Sequence, residues 1–430
     1  PAASPSRLRQ SRTVEPGQQT DEGEHVCQTQ PGLYESRHSM PTNNPSQIDV
    51  SRMSRAVVPV LEACSQASED ARRVEPEAMA AIQAAGLSRL LTPERFGGSE
   101  APVSTHVRSC TELARGCAAA SWVHMVCGAH TFVVGRYPEA CQEEVFGPTP
   151  DVLIPGALAP QGRAERVAEG WELNGRWQFG SGVDHGPWVV LGAQTIDVEE
   201  HGVPAIHLVI PRADITIDDT WHTLGMRGTG SRDIVAEAVF VPEHRVMPTR
   251  ELFRGDFEGH AGPLYRLPVM GALASMLAGN VVGIAQRGLD GFVGATRVRE
   301  EVYTGTAKAQ KASIQMRIAE SLGEVELAQS LVDKNCELLD AAMHARRPPP
   351  IDRETIAALR WNAAYAAELC RRSTERVYAA AGAGATHNRN ALQRWFRDIN
   401  TACHHAIVDF DGMLEARGRM ALGLSPGAPL

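Results

Sequence analysis

Aromatic side chains are scarce in this chain: seven Trp, six Tyr and ten Phe among 430 residues, against 39 Gly. A sequence of this length can bury a large core, and with so few rings it is expected to do so by packing helices closely through small side chains. Basic charge is also in deficit. Lys and Arg number 42 and Asp and Glu 51, for a formal net charge of -9. This excludes nucleic acid as the main partner and argues against an anionic membrane surface. The nine cysteines are odd in number and include no C-x-x-C pair. Most lie in alanine-rich stretches, where cysteine behaves as a small buried hydrophobe. They imply a reducing compartment, the cytoplasm, with no disulfide framework and no structural zinc. No apolar run approaches the roughly 18 residues of a membrane span, and the basic N-terminus lacks the apolar core of a signal peptide. Two nucleotide-binding signatures are missing as well. No P-loop Gly-Lys-Ser/Thr occurs, and no G-x-G-x-x-G joins a strand to a helix.

What is present divides the chain into four parts. Residues 1–48 are polar, rich in Ser, Gln, Pro and Glu, and read as a disordered extension. Residues 49–150 carry helical spacing, as in Val57, Val60, Leu61 and Cys64. A helix opens at Glu75-Pro76-Glu77 and ends near Gly86, and another runs over 102–135. Residues 151–248 change texture. Short β-rich runs at 188–191, 206–210 and 234–241, punctuated by Gly and Pro, predict a small β-barrel or sandwich. Residues 249–430 show four apolar stripes at helical spacing, the last being Leu392, Phe396, Ile399, Cys403, Ile407 and Phe410. They predict a four-helix bundle. The fold class is α+β: helices, a β-domain, then a bundle.

Two stretches of the β-domain suit a flat ring with a polar edge. In Leu173-Asn-Gly-Arg-Trp-Gln-Phe-Gly-Ser-Gly182, Asn174-Gly175 is a hairpin-turn signal. The strand after it brings Phe179 and Ser181, two residues apart, to one face. The stretch alone also fits a surface hairpin with a buried Phe. Trp221-His-Thr-Leu-Gly-Met-Arg-Gly-Thr-Gly-Ser-Arg-Asp233 places glycines around Arg227 and Ser231, which suits backbone approach to an anion or ring.

In this order the two stretches resemble the middle domain of the acyl-CoA dehydrogenase superfamily. Over about residues 50–425 the chain looks closest to its flavin-dependent monooxygenase branch, which includes the oxygenase components of two-component phenol hydroxylases. The resemblance implies that Phe179 and Ser181 lie against a flavin, with the Ser181 hydroxyl near N5, where it helps hold the C4a-hydroperoxide. It implies that Gly382 and Gly384, in Ala380-Ala-Gly-Ala-Gly-Ala-Thr386, approach the flavin phosphates across a subunit boundary. Arg297, Arg299 and Gln315 fall where the superfamily contacts the flavin tail, although the Phe-Gly that normally follows the arginine is absent.

A third stretch, Gln393-Arg-Trp-Phe-Arg-Asp-Ile-Asn-Thr-Ala-Cys-His-His-Ala406, separates the branches. Many dehydrogenases of the superfamily carry a glutamate base nine residues beyond the arginine matched by Arg397. Here that position is Ala406, which cannot remove a proton. The monooxygenase branch carries a histidine at the preceding position, here His405. A histidine titrating near neutrality can deprotonate a phenol or hold a phenolate. The branch's W-x7-H helix is matched by Trp122 to His130, which makes His130 a lining residue of the aromatic pocket in preference to His124; His404 is read as structural. The loop Pro155-Gly-Ala-Leu-Ala-Pro160 lacks the hydroxyl that some phenol hydroxylases place there. His130, His404 and His405 lack metal-ligand spacing.

The expected activity is that of an oxygenase component using reduced FMN or FAD and O2 on a small phenolic substrate. The flavin is supplied by a separate NAD(P)H–flavin reductase, and the assembly is a homotetramer. Two alternatives stand beside it: a dehydrogenase acting on an acyl thioester with a relocated base, and a catalytically inert helical scaffold.

Overall fold

The protein is described by a computed structural model over residues 49–196, 198–254, 262–345 and 352–427. The extension expected over residues 1–48 lies outside the described residues.

The first helices follow their capping chemistry. α1 (Val50–Ala71) starts where the Asp49 carboxylate accepts from the Arg52 amide at 3.0 Å. α2 (Pro76–Ala84) opens on a proline, whose missing N–H costs nothing in a first turn. The helix expected over 102–135 is broken into α3 (Val103–Ala114) and α4 (Ala118–Val134) at Arg115-Gly-Cys117. α5 (Glu139–Phe146) closes this helical part.

The β-rich part forms one mixed seven-stranded sheet. Its strands are β1 (Gly156–Val167), β2 (Gly170–Gly180), β3 (Trp188–Thr195), β4 (Ala205–Pro211), β5 (Thr216–Asp218), β6 (Arg232–Pro242) and β7 (Val246–Pro248), in the order β5-β6-β2-β1-β3-β4-β7. Only β1 and β3 pair in parallel. Between β3 and β4 lies a single helical turn, α6 (Val198–His201). The hairpin turn predicted at Asn174-Gly175 is not a turn. β2 runs through it, the reversal falls before Gly170, and Asn174-Gly175 instead marks a register shift against β6. There the Asn174 side chain accepts from the Ala238 amide at 2.7 Å. The turn propensity is spent on a bulge because β1 and β2 already have a shorter connection. Trp171 and Trp177 fill the sheet's core.

The C-terminal part begins with the short α7 (Thr249–Arg254) and continues into three long helices. These are α8 (Val269–Val298), α9 (Ala312–His344) and α10 (Arg353–Ala380). Val269–Gln286 in α8 contains no charged residue, so this helix is long and apolar enough to cross a membrane. This corrects the expectation that no apolar run approaches a membrane span, while the helix itself was expected from the stripe Leu273, Leu277, Val281, Ile284 and Leu289. Most of that window is buried inside the fold, where α8 packs on α3, α4, α9 and α10. A buried amide cluster sets the register of the three helices. Asn335 donates to Ser275 Oγ at 3.1 Å and to Leu359 O at 2.8 Å, and Asn362 donates to Asn335 at 2.9 Å. The fourth stripe is not one helix. α11 (Ala391–Ala402) stops, a 3-10 turn covers Ala406–Val408, and α12 (Phe410–Ala421) restarts. The apolar spacing continues through the break because both halves face the same neighbour, α10.

Candidate active site

The break after α11 places His405. Its ring caps the 3-10 turn that follows, with Nδ1 accepting from the Ile407 amide at 3.2 Å. A nitrogen that accepts carries no hydrogen, so in the neutral ring Nε2 bears the proton. Burial lowers the His405 pKa to about 4. The expected titration near neutrality is therefore corrected. His405 is a neutral donor at working pH, suited to hold a phenolate oxygen rather than to remove its proton.

The ring of His405 meets Trp122 of α4 edge-on, at 5.7 Å between centroids. Trp122 Nε1 in turn donates to Ser181 Oγ at 3.2 Å. Beyond Ser181 runs a chain of hydroxyls: Ser181 to Ser231 at 2.7 Å, Ser231 to Thr229 at 2.7 Å, and Thr229 to the Met226 carbonyl at 2.8 Å. The direction of the chain follows from its end. A carbonyl only accepts, so Thr229 spends its single proton on Met226. Thr229 must then accept from Ser231, and Ser231 from Ser181. Ser181 thus receives the Trp122 proton, gives its own to Ser231, and keeps one lone pair for a donor outside the chain. All three hydroxyls are buried.

Phe179 differs from its expected placement. Its φ of +67° and the register shift between Trp177 and Gly180 break the strand alternation, so Phe179 and Ser181 do not share a face through simple period-2 spacing. Instead the Ser181 amide folds back on the Phe179 carbonyl at 2.7 Å. Phe179 is 61% exposed and meets Trp221 edge-on at 6.1 Å, while Ser181 is buried. A non-glycine residue held at positive φ is strained, and such strain concentrates where a ligand is gripped.

The other candidates fall in three places. His130 donates from Nδ1 to the Ile154 carbonyl at 2.9 Å, and burial lowers its pKa to about 4. It lies eight residues, about 12 Å, along α4 from Trp122. Among the described residues, no hydrogen bond or ring contact joins it to the Ser181–Trp122–His405 group. Among the described residues, no hydrogen bond joins Arg227 to Ser231. Arg227 lines a cavity of about 10 Å³ with Glu69, Arg394 and Asp398. Arg299, Gly382 and Gly384 come together elsewhere, beside a cavity of about 120 Å³ bordered by Arg299, Lys308, Ala381, Asn390 and Trp395. Arg299 donates to the Ala381 carbonyl at 3.1 Å. Gly382 has a φ of +77°, and a Cβ there would lie 3.6 Å from Lys308 Nζ. Gln315 and Arg297 are exposed, and Gln315 donates to Ala309 O.

Four side chains that the geometry joins to these groups were not singled out in the sequence. Trp122 joins Ser181 to His405 and was legible as the first letter of the W-x7-H motif. Thr229 fixes the hydroxyl chain, Lys308 adds a second cation to the larger cavity, and Asp398 holds Met226. His124 accepts or donates at Ser109 Oγ (3.1 Å) and packs on His106. With Cys110 these rings bring ligand-type atoms within 4.8 Å of one another. The three groups are neutral: burial depresses both imidazoles and raises the thiol.

The donor set fits a flavin. An open aromatic lip, Phe179 and Trp221, adjoins a buried hydroxyl with a free lone pair, and reduced flavin presents an N5–H to such an acceptor. Cations at a glycine-lined cavity fit a phosphate.

Comparison with known proteins agrees with this chemistry. Two family models match, the acyl-CoA dehydrogenase N-terminal domain over residues 51–144 and the acyl-CoA dehydrogenase C-terminal domain over residues 275–410. The chain is 29% identical to the oxygenase component of p-hydroxyphenylacetate 3-hydroxylase from Acinetobacter baumannii, covering 94% of this chain and 96% of that protein. It is 32% identical to HsaA, the oxygenase subunit of a flavin-dependent monooxygenase from Rhodococcus jostii, covering 82% and 93%. XiaF from Streptomyces sp., solved in complex with FADH2 and glycerol, is similar in structure with a TM-score of 0.83 at 28% identity, over 88% of this chain and 96% of that one.

Proposed function

The chain belongs to the acyl-CoA dehydrogenase family, in its branch of flavin-dependent monooxygenases, and from that premise we propose that it is the oxygenase component of a two-component phenol hydroxylase. In this reading a separate NAD(P)H–flavin reductase supplies reduced FMN or FAD. When bound, the reduced flavin would supply the chemistry that activates O2, and the acceptor proposed is an aromatic carbon. The chain's own residues do the rest. Ser181 accepts at the flavin edge, its orientation fixed by Trp122 and Ser231. Phe179 and Trp221 shelter the ring. His405 Nε2–H holds the substrate oxygen and favours its phenolate form, which raises electron density on the neighbouring ring carbon. Arg299 and Lys308 hold phosphate, and His130 lines the substrate pocket.

One observation carries the reading: Trp122 touches both Ser181 and His405, and among the described residues none of the three has a carboxylate partner. The thioester reading needs a carboxylate base, and Ala406 stands where many dehydrogenases of the family carry one.

The larger cavity supports a homotetramer. Beside it Val298, Val302, Tyr303 and Met316 are apolar and exposed, Tyr303 fully, as an interface between copies requires. Light scattering should give four chain masses.

The direct test gives purified chain reduced flavin, O2 and a panel of phenols, and measures hydroxylated product against hydrogen peroxide. Product from at least one phenol is expected. Bleaching of bound oxidised flavin by an acyl-CoA, or no flavin binding at all, would overturn the proposal.

A further inference from the structure

Asp398 lies on α11, seven residues before His405, and is buried. Its Oδ1 accepts from the Met226 amide at 2.6 Å. Met226 is the residue on which the hydroxyl chain ends, and it sits at a φ of +53°, a conformation a side chain of its kind does not adopt unaided. Its carbonyl receives both Thr229 Oγ1 (2.8 Å) and Trp221 Nε1 (3.0 Å). The loop is pressed against α11 on its other side too. Arg397 donates to Leu224 O at 2.7 Å, and a Cβ on Gly225 would stand 2.1 Å from the Arg397 carbonyl oxygen, so only glycine fits there. The contacts close a ring: α11 holds Met226 through Asp398, Met226 orients Thr229, Ser231 and Ser181, Trp122 links Ser181 to His405, and His405 follows the end of α11.

We propose that Asp398 is a positioning residue that keeps the Ser181 hydroxyl chain in register with His405, by fixing Met226 in its strained conformation. This rests on the monooxygenase reading for its catalytic consequence but not for its structural one. The charged and titratable groups around Asp398 are Glu69 of α1, Arg394 and Arg397 of α11, Arg227 of the loop, and Cys117 before α4. Arg397 is itself held by Glu69 at 2.5 Å. None of these replaces the hydrogen bond to the Met226 amide.

The test compares Asp398→Ala, which removes the acceptor, with Asp398→Asn, which keeps a carbonyl oxygen in its place. Two quantities are read: hydrogen–deuterium exchange of the 221–231 segment without flavin, and the fraction of consumed O2 that appears as hydroxylated product. In Asp398→Ala, exchange of the segment should quicken about tenfold and the product fraction fall by a similar factor, as loss of one buried charged acceptor implies, with the substrate KM little changed. Asp398→Asn should stay near wild type in both. Unchanged exchange in Asp398→Ala, or equal acceleration in both variants, overturns the anchoring of Met226. Quickened exchange with an undiminished product fraction overturns the positioning role. Should Asp398→Ala not fold, Gly225→Ala wedges the same loop off α11 and is judged by the same two readouts. The exchange result stands even if the chain proves to hydroxylate nothing, which separates this proposal from the function it builds on.

Discussion

The protein carries two groups of ligand-ready side chains, built in opposite ways. Around Ser181, Trp122 and His405, the polar groups are tied to one another, hydroxyl to hydroxyl and indole to hydroxyl, with the histidine ring capping its own turn, and they leave one Ser181 lone pair and His405 Nε2–H for a ligand. Around Arg299, Lys308, Gly382 and Gly384, the cavity is larger, cationic and flanked by exposed apolar residues. The first group is a continuous hydrogen-bonded chain and the second is an open cationic cavity. A hydrogen-bonded constellation must be pre-set where bonds are made, because misplacement there is costly. A phosphate grip needs only charge and room, and can be completed by a neighbouring copy.

If the division is right, variants in the two groups fail differently. The largest effect is expected from His405→Ala, which should slow hydroxylation by about 100-fold or more, within the range for loss of a hydrogen-bond donor to an oxyanion. Flavin binding should be spared. Because burial holds the His405 pKa near 4, its neutral form is present above that pH and is lost only as pH falls through 4. The hydroxylation rate should therefore show no step near pH 6.5, and a step there that vanishes in His405→Ala would refute the assignment. Next comes Arg299→Ala combined with Lys308→Ala. Flavin dissociation should rise by about ten- to 100-fold and become less sensitive to salt, while the product fraction at saturating flavin stays unchanged. A fall in product fraction would erase the distinction between the groups. Trp122→Phe is subtler. It keeps a ring against His405 and removes only the donor to Ser181, so the product fraction should drop several-fold, as expected for about 1 kcal/mol.

A separate effect concerns stability rather than turnover. Burial raises the Asp398 pKa from 3.8 to about 6, so its contribution to folding is present below pH 4 and is lost as pH rises through 6. Across that window wild type should lose about 3 kcal/mol relative to Asp398→Asn, measurable as converging thermal midpoints in acid. Parallel pH profiles for the two proteins would contradict it.

Much of this was legible in the sequence, and unevenly so. Apolar periodicity revealed α8, α9 and α10 because a helix that buries one face must repeat every three to four residues. The same logic ran the fourth stripe straight through 403–409, since both halves of the break face α10, and it thereby hid the turn that places His405. Asn174-Gly175 was read as a turn on local propensity, but pairing of β2 with both β1 and β6 turned it into a bulge. Ser181, Phe179 and His405 could be singled out because their motifs are local. Trp122–Ser181 and Asp398–Met226 link residues 59 and 172 positions apart. No spacing rule reports contacts of that kind, and Arg227, chosen for its glycine-rich surroundings, instead faces Glu69 and Asp398.

The claim that Ser181 and His405 serve one site is best tested by a crystal structure of the full chain with flavin and a phenolic inhibitor. The flavin ring should lie against Phe179 with its N5 edge at Ser181, and the phenol oxygen should lie within hydrogen-bond distance of His405 Nε2, both in a single cavity beside Trp122. A phenol bound away from His405, or Ser181 and His405 opening onto separate cavities, would contradict it.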